Sequence, residues 1–255
     1  MPRRRKIILI SVSIALVLIS IIYFSVRSSP SQFLTEEQLK RELAESLERE
    51  KTEITSITDI VDIDDRHKVA LFVTDKEQYG KSFWQWDRLE DKWQEVHFSI
   101  FETPELWMID ENDESSYRLI WHQSPETEVK SYNFYLLKRR GYHESQRNDE
   151  VLRSVYEPQI QLEHTVALEG QAHGVMLLPD EWVKLIKLQK KATANTNRRT
   201  ANLFWSNSTS SFLFHFKAFD YNNDEIPEAE LSNGPRFARG GGTQVLSNPE
   251  EYFFE

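Results

Sequence analysis

Residues 7–26 form an uninterrupted run of twenty uncharged, mostly apolar residues, entered through Arg3-Arg4-Arg5-Lys6 and left through Arg27-Ser28-Ser29-Pro30. No other stretch restricts the chain so strongly. Folded as a helix at about 1.5 Å of rise per residue it spans roughly 30 Å, the thickness of a bilayer's hydrocarbon core, and satisfies its own backbone polar groups. The run therefore predicts a single transmembrane helix. Four basic side chains precede it and only Arg27 immediately follows it, so the positive-inside bias keeps the N-terminus in the cytoplasm and sends the remaining 228 of 255 residues outside. The competing reading is a cleaved signal peptide. Against it, the apolar core is longer than the usual stretch of about 7–15 residues, and no A-x-A-like site follows.

The charge balance separates the two parts of the chain. Residues 1–27 carry five basic and no acidic side chains, which leaves 26 basic against 41 acidic in the rest, or −15. An acidic ectodomain is unsuited to binding nucleic acid through phosphates or to adhering by charge to anionic lipid. There is no cysteine, so disulfides, thiolate metal sites and a thiol nucleophile are excluded, and burial has to stabilise the fold.

After a short Ser/Pro tether, Thr35-Glu36-Glu37-Gln38 has the pattern of a capping box and predicts a helix over residues 36–51, with Leu39, Leu43 and Leu47 on one narrow stripe. That stripe is either a coiled-coil contact or a face laid on the protein's own domain. Four turns are too few for a heptad argument, and the second is the simpler. From Ile54 the periodicity changes to two. Strands are predicted over 54–64, 68–74, 82–88, 92–100, 106–110, 117–123 and 129–138, with 68–74 apolar on both faces and therefore central. The sheet at 82–100 is expected to be one-sided. Residues 159–169 show the clearest alternation, with Ile160, Leu162, His164, Val166 and Leu168 on one face, and another strand follows over 172–178. Pro179-Asp180-Glu181 opens a second helix, whose Lys184, Lys187, Lys190 and Lys191 suit its C-terminal dipole. Polar residues 193–200 should separate it from a last hairpin over 201–206 and 211–220, and the tail from Glu228 should be irregular.

The expected architecture is an α+β domain, predominantly antiparallel β, of about ten strands in one or two lobes, with one N-terminal transmembrane helix and two further helices. Residues 1–27 are the basic end and anchor, 28–53 the tether and juxtamembrane helix, and 54–255 the extracytoplasmic domain, with the polar run 139–150 as a candidate lobe boundary.

Local motifs for chemistry are absent. The chain holds no G-x-S-x-G, Walker loop or H-E-x-x-H, and its seven histidines stand at no ligand spacing. Trp84, Trp86 and Asp87 are the candidate ligand-binding residues, because exposed tryptophans on a sheet stack on sugar rings. Aromatics at period two are, however, what a sheet core needs. Asp220, Asn222 and Asp224 place oxygen ligands at alternate positions, as a calcium loop does, but Glu225 stands where that loop needs Gly and Leu231 where it needs a bidentate acid. A tight turn uses the same residues. Asp59, Asp62, Asp64 and Asp65 are most simply a solvated strand end. No cofactor is expected. Two functions follow: a non-enzymatic binding, assembly or regulatory module at the cell envelope, with a protein or cell-wall partner, or an envelope enzyme such as a wall-polymer hydrolase whose carboxylates meet only in the fold.

Overall fold

The computed structural model describes residues 12–20, 30–47, 51–138, 141–147, 150–157, 159–199, 212–231 and 237–247. The chain forms two compact units, one made of Met1–Lys76 and Lys81–Phe98 and the other of Glu77–Gly80 and Ser99–Glu255. The architecture is mainly antiparallel sheet with few helices, the β-rich α+β class expected from the alternating patterns.

In the first unit, residues 12–20 form a helix (α1) that is exposed along its whole described length. It lies inside the uncharged run 7–26, whose other residues fall outside the described ones. Among the described residues no helix is long and apolar enough to cross a membrane. Helix α2, Glu36–Leu47, starts on the capping box that the sequence predicts. The Thr35 backbone N–H donates to Gln38 Oε1 at 2.8 Å, and the Gln38 N–H donates back to Thr35 Oγ1 at 3.4 Å. Its stripe of Leu39, Leu43 and Leu47 is fully buried, which takes the stripe out of use for a coiled coil. Lys51, at φ 49°, already has left-handed backbone, so the helix ends before the predicted position.

Strands β1 (Ile54–Asp64), β2 (His67–Thr74), β3 (Tyr79–Asp87) and β4 (Lys92–Ser99) follow as sequential neighbours. β1 and β2 are antiparallel, with Ile57 opposite Phe72 and Asp62 opposite Lys68. β2 is central, as its two apolar faces require, and Val69, Ala70, Leu71 and Phe72 are all buried. β3 departs from the one-sided expectation: Phe83, Trp84 and Trp86 are all buried although they alternate between faces, so both faces are covered.

α2 also closes part of the outer edge of β1. Lys40 Nζ donates to the Thr55 carbonyl at 3.0 Å and pairs with Glu36 at 2.9 Å, and Glu36 accepts from the Ile57 N–H. Edge carbonyls and N–H groups left bare invite another strand, and a helical ion pair here takes up one of each.

The second unit is built from distant neighbours. β5 (Glu105–Trp107) and β6 (Arg118–His122) pair, Leu106 opposite Leu119. β7 (Ser131–Lys138) lies between two strands that come later in the chain, β10 (Ile160–Ala167) and β12 (Leu213–Phe219). β8 (Gly141–Arg147) and β9 (Glu150–Glu157) form an antiparallel hairpin of their own, so the polar run 139–150 enters a strand, and both its sides belong to this unit. β10 shows the predicted alternation without a slip: Ile160, Leu162, His164 and Val166 are half-buried and the intervening residues exposed. It sits at the edge of its sheet, with His164 opposite Phe134. β11 (His173–Leu177) pairs with β6 and requires Gly174, where a Cβ would stand 2.2 Å from Trp121 Cζ2.

Helix α3 (Asp180–Arg199) opens after Pro179, whose carbonyl accepts from the Trp182 N–H at 2.9 Å. Trp182 and Ile186 enter the core beside Tyr132, Phe134, Leu136, Phe214 and Phe216. The helix runs through the polar residues expected to end it, because no Gly or Pro interrupts 180–199 and alanines at 192 and 194 sustain it. Residues 201–206 of the expected last hairpin lie outside the described residues. β12 pairs with β7 and with β13 (Glu225–Ile226). The tail is folded back in: β14 (Ala238–Gly240) is followed by β15 (Thr243–Val245), which pairs with β5, and Leu246 is fully buried. Gly240 and Gly242, at φ 106° and 75°, make the reversal that a residue with a Cβ would strain.

Candidate functional site

The tryptophans of the first unit meet in one aromatic assembly. Trp86 packs edge-on against Trp93 with ring centres 5.6 Å apart, and Trp84 donates its indole N–H to Ser82 Oγ at 2.8 Å. Phe33, from the tether before α2, inserts its ring between Trp84 at 5.9 Å and Trp93 at 4.9 Å, both edge-on. The Trp93 indole N–H donates to the Ser31 carbonyl at 3.2 Å, so backbone and side chain of the tether are both held. Lys68 completes the assembly. Its ammonium lies 5.5 Å from the centre of Phe33 and 5.6 Å from that of Trp93, and pairs with Asp62 directly across the β1–β2 ladder. A cation over two ring faces and against one carboxylate combines cation–π attraction with an ion pair.

Trp84 and Trp86 are thus core residues, 2% and 3% exposed, and the surface that sugar stacking needs is taken by the protein's own side chains. Asp87 shapes the β3–β4 turn: its carboxylate accepts from the N–H groups of Leu89 and Glu90 at 2.7 and 3.2 Å. Near this assembly Asp64 accepts from the Arg66 N–H and bonds the His67 ring at 2.8 Å. Burial pushes the Asp64 carboxyl up, but those bonds outweigh it and hold it below its ordinary value. Asp65 lies in the exposed turn at the end of β1, and Asp59 is exposed in the middle of that strand.

The second unit carries a polar network inside its fold. Glu102, Glu105, His122 and Tyr132 are all buried. The Ser99 hydroxyl donates to Glu105, the Ser124 N–H to Glu102 at 3.2 Å, and the Tyr132 hydroxyl to Gln123 Oε1. His122 Nδ1 bonds the Gly80 carbonyl at 2.9 Å, which fixes that ring's orientation. Burial, with the Glu102 charge nearby, raises the Tyr132 phenol far above its ordinary value and keeps it a hydrogen-bond donor. Buried carboxylates are costly unless hydrogen-bonded, and each has a donor here. As folded, these groups are enclosed and hydrogen-bonded within the unit.

Tertiary structure also brings together two histidines that the sequence scatters. His122 and His173 stand directly opposite on β6 and β11 with ring centres 6.0 Å apart, and Tyr79 packs edge-on to His122 at 5.1 Å. Two imidazoles fall short of the ligand set of a zinc site, and among the described residues no three metal-ligating side chains are grouped to hold an ion.

Asp220, Asn222 and Asp224 form a closed turn between β12 and β13. Asp220 Oδ1 accepts from the N–H groups of Asn222 and Asp224, each at 2.8 Å, and the Asp220 N–H donates to the Asp224 carbonyl at 3.0 Å. The Asp224 N–H, with Asn222, holds the Asp220 carboxyl below its ordinary value. Asn223 adopts φ 67°, which Asn tolerates, and Lys130 Nζ donates to its side chain at 2.7 Å. The carboxylate is aimed at its own backbone donors, which is turn chemistry.

The lysines of α3 clasp an acidic turn. Lys187 bonds Asp113 Oδ1 at 3.0 Å, while Lys190 pairs with the buried Glu114 and donates to the Glu111 carbonyl at 2.7 Å. The Ser115 hydroxyl, then Lys187, hold the Asp113 carboxyl at about 2. Sequence reasoning assigned these lysines to the helix dipole and did not single out Phe33, Glu102 or Glu105. Phe33 stands one residue before Leu34, which holds the staple position next to the N-cap, so the capping pattern gave Phe33 itself no signal. Glu102 and Glu105 had none, since burial of a carboxylate leaves no periodic trace. Comparison of the chain with protein-family models, curated proteins and solved structures yields no match.

Proposed function

We propose that this is a single-pass membrane protein, N-terminus in the cytoplasm, whose β-rich part serves outside the membrane as a non-enzymatic binding, assembly or regulatory module of the cell envelope. One observation carries the membrane half of the reading. In the helix over residues 12–20, Val12, Ile14, Leu16, Val17, Leu18 and Ile19 are each more than half exposed, and only Ser and Ala stand between them. A helix apolar all round is stable where apolar atoms cover it, and a lipid interior supplies them. The module half draws support from the way the candidate chemistry is arranged. A wall-polymer hydrolase needs two carboxylates open to a polymer, whereas Glu102 and Glu105 are enclosed.

Cell fractionation tests the membrane half. The full chain should stay with membranes through an alkaline carbonate wash, and protease added to intact cells should degrade it. The double variant Leu16→Lys/Leu18→Lys should move to the soluble fraction, because each central lysine costs about 2.5–3.5 kcal/mol on insertion scales. Wild-type protein released by carbonate would overturn the anchor. For the module half, the detergent-solubilised full chain should retain a protein or wall polymer from envelope fractions. Hydrolysis of wall polymer, lost on Glu105→Gln, would replace the binding reading with the enzymatic one.

A further inference from the structure

The tether between the apolar run and α2 is docked along part of its length. Pro30 to Thr35 lack helix or strand, yet three contacts fix them: the Ser31 carbonyl to the Trp93 indole, the Phe33 ring between Trp84 and Trp93, and Thr35 in its capping box. Lys68 closes over the Phe33 ring and is itself held by Asp62. A tether meant only to give reach would be polar and undocked, and this one places its aromatic residue inside an aromatic assembly.

We propose that residues 31–35 are a strap that holds the first unit against the outer face of the bilayer, with Phe33 as its latch. The inference rests on the anchor reading above. With Ser31 docked, the five Cα–Cα steps from Val26 reach at most about 18 Å even when fully extended; with the strap released as far as Thr35, nine steps reach about 32 Å. Charge gives the latch a load to resist. The exported part carries −15, which an anionic lipid surface repels, so an unlatched domain stands off while a latched one is kept close. Any partner reached in the latched state lies near the headgroups. A partner that draws out Phe33, or a pull on the domain, would lengthen the reach without altering α2 or the sheet.

The chain contains no cysteine, so Leu89→Cys, in the β3–β4 turn where Leu89 is 90% exposed, supplies the one thiol for a donor dye. The full-length protein is reconstituted into phosphatidylcholine/phosphatidylglycerol vesicles with an acceptor on the lipid headgroups. Flotation, donor-to-lipid energy transfer and exchange protection of the Trp93 indole N–H are measured. Phe33→Ala should float like the parent, lose energy transfer and lose indole protection, and Phe33→Tyr, which keeps the ring, should restore both. Should Phe33→Ala lose its cooperative thermal transition, Phe33→Leu, which keeps apolar volume but no ring, takes its place with the same expectation. Protein that floats with equal energy transfer in the parent and the latch variants would overturn the strap and leave the anchor standing. Protein that does not float would overturn the anchor, and the strap's role with it.

Discussion

The two units place their carboxylates in opposite ways. In the first, the carboxylates work in ion pairs at its boundary, Asp62 with Lys68 on the aromatic assembly and Glu36 with Lys40 on the outer edge of β1, and no carboxylate among its described residues is buried. In the second, carboxylates, a phenol and an imidazole go inside, and each finds a hydrogen bond there. Connectivity differs in the same direction. β1 to β4 pair in the order of synthesis, whereas β7 pairs with β10 and β12, and β15 returns to β5 from the far end of the chain. Local pairing leaves few alternative partners to exclude. Long-range pairing must also choose among many partners, and a buried network that is satisfied in one arrangement helps to specify it.

The largest expected effect tests whether the first unit depends on its helix. Leu43 is fully buried, so Leu43→Ala should cost about 2–5 kcal/mol, with the spread set by how far the site collapses. Native-state hydrogen exchange should show β1, β2 and β4 opening more readily while amides of β7, β10 and β12 keep their protection. Equal loss in both sets would break the comparison, because the chain would then unfold as one cooperative body. In the second unit the matching probe is Gly174→Val. The added Cβ falls within 2.2 Å of Trp121 Cζ2, and overpacking of this kind costs about 1–3 kcal/mol or somewhat more. A lower melting temperature with altered tryptophan fluorescence is expected, and an unchanged melt would mean that β11 is not held against β6 as described.

A smaller effect is expected at the helix cap. Thr35→Ala removes the acceptor for the Gln38 N–H and should destabilise α2 by roughly 1 kcal/mol, with Thr35→Ser recovering most of the loss. Full stability in the alanine variant would detach the capping box from the fold of the first unit.

The smallest effect is a pH dependence confined to the second unit. The Asp113 carboxyl, held at about 2 by Ser115 and Lys187, titrates below its ordinary value of 3.8. A carboxyl depressed in the folded state adds stability above 3.8 and loses it as pH falls through about 2. The melting temperature of the wild type should therefore exceed that of Asp113→Asn at neutral pH by a small margin, since the group is exposed and the pair is screened. The margin should shrink between about pH 4 and 2, within the window set by those two values. A margin constant across that window would remove Asp113 from the clasp on α3.

Much of the first unit could be read from its residues. The capping box, the buried Leu39/Leu43/Leu47 stripe, the central β2 and the β3–β4 hairpin all depend on side chains within a few positions of one another. In the second unit β10 was legible for the same reason, as a strict alternation across its own eight residues. What escaped was set by distant partners. The tail looked irregular because Gly240-Gly241-Gly242 and short apolar stretches carry no period, yet β5 supplies the edge that makes a strand of Thr243–Val245. The polar run 139–150 carries no strand pattern, yet Gly141–Arg147 within it pairs along β9, and that ladder satisfies its backbone without needing an apolar face.

By itself the sequence determined the features that follow from composition and near-neighbour spacing. These are a β-rich chain without thiols, a net-acidic part beyond one uncharged run of twenty residues, and the starts of both α2 and α3. Only the tertiary structure decided what the tryptophans and carboxylates face. Trp84 and Trp86 share one strand face as a sugar platform would, and Phe33 with Trp93 closes over them; Glu102 and Glu105 sit in a segment with no pattern, and Ser124 and Ser99 receive them in the interior. The physical reason is common to both cases. Periodicity records which side of an element a residue occupies, and the identity of what covers that side is settled by chain segments far away in sequence.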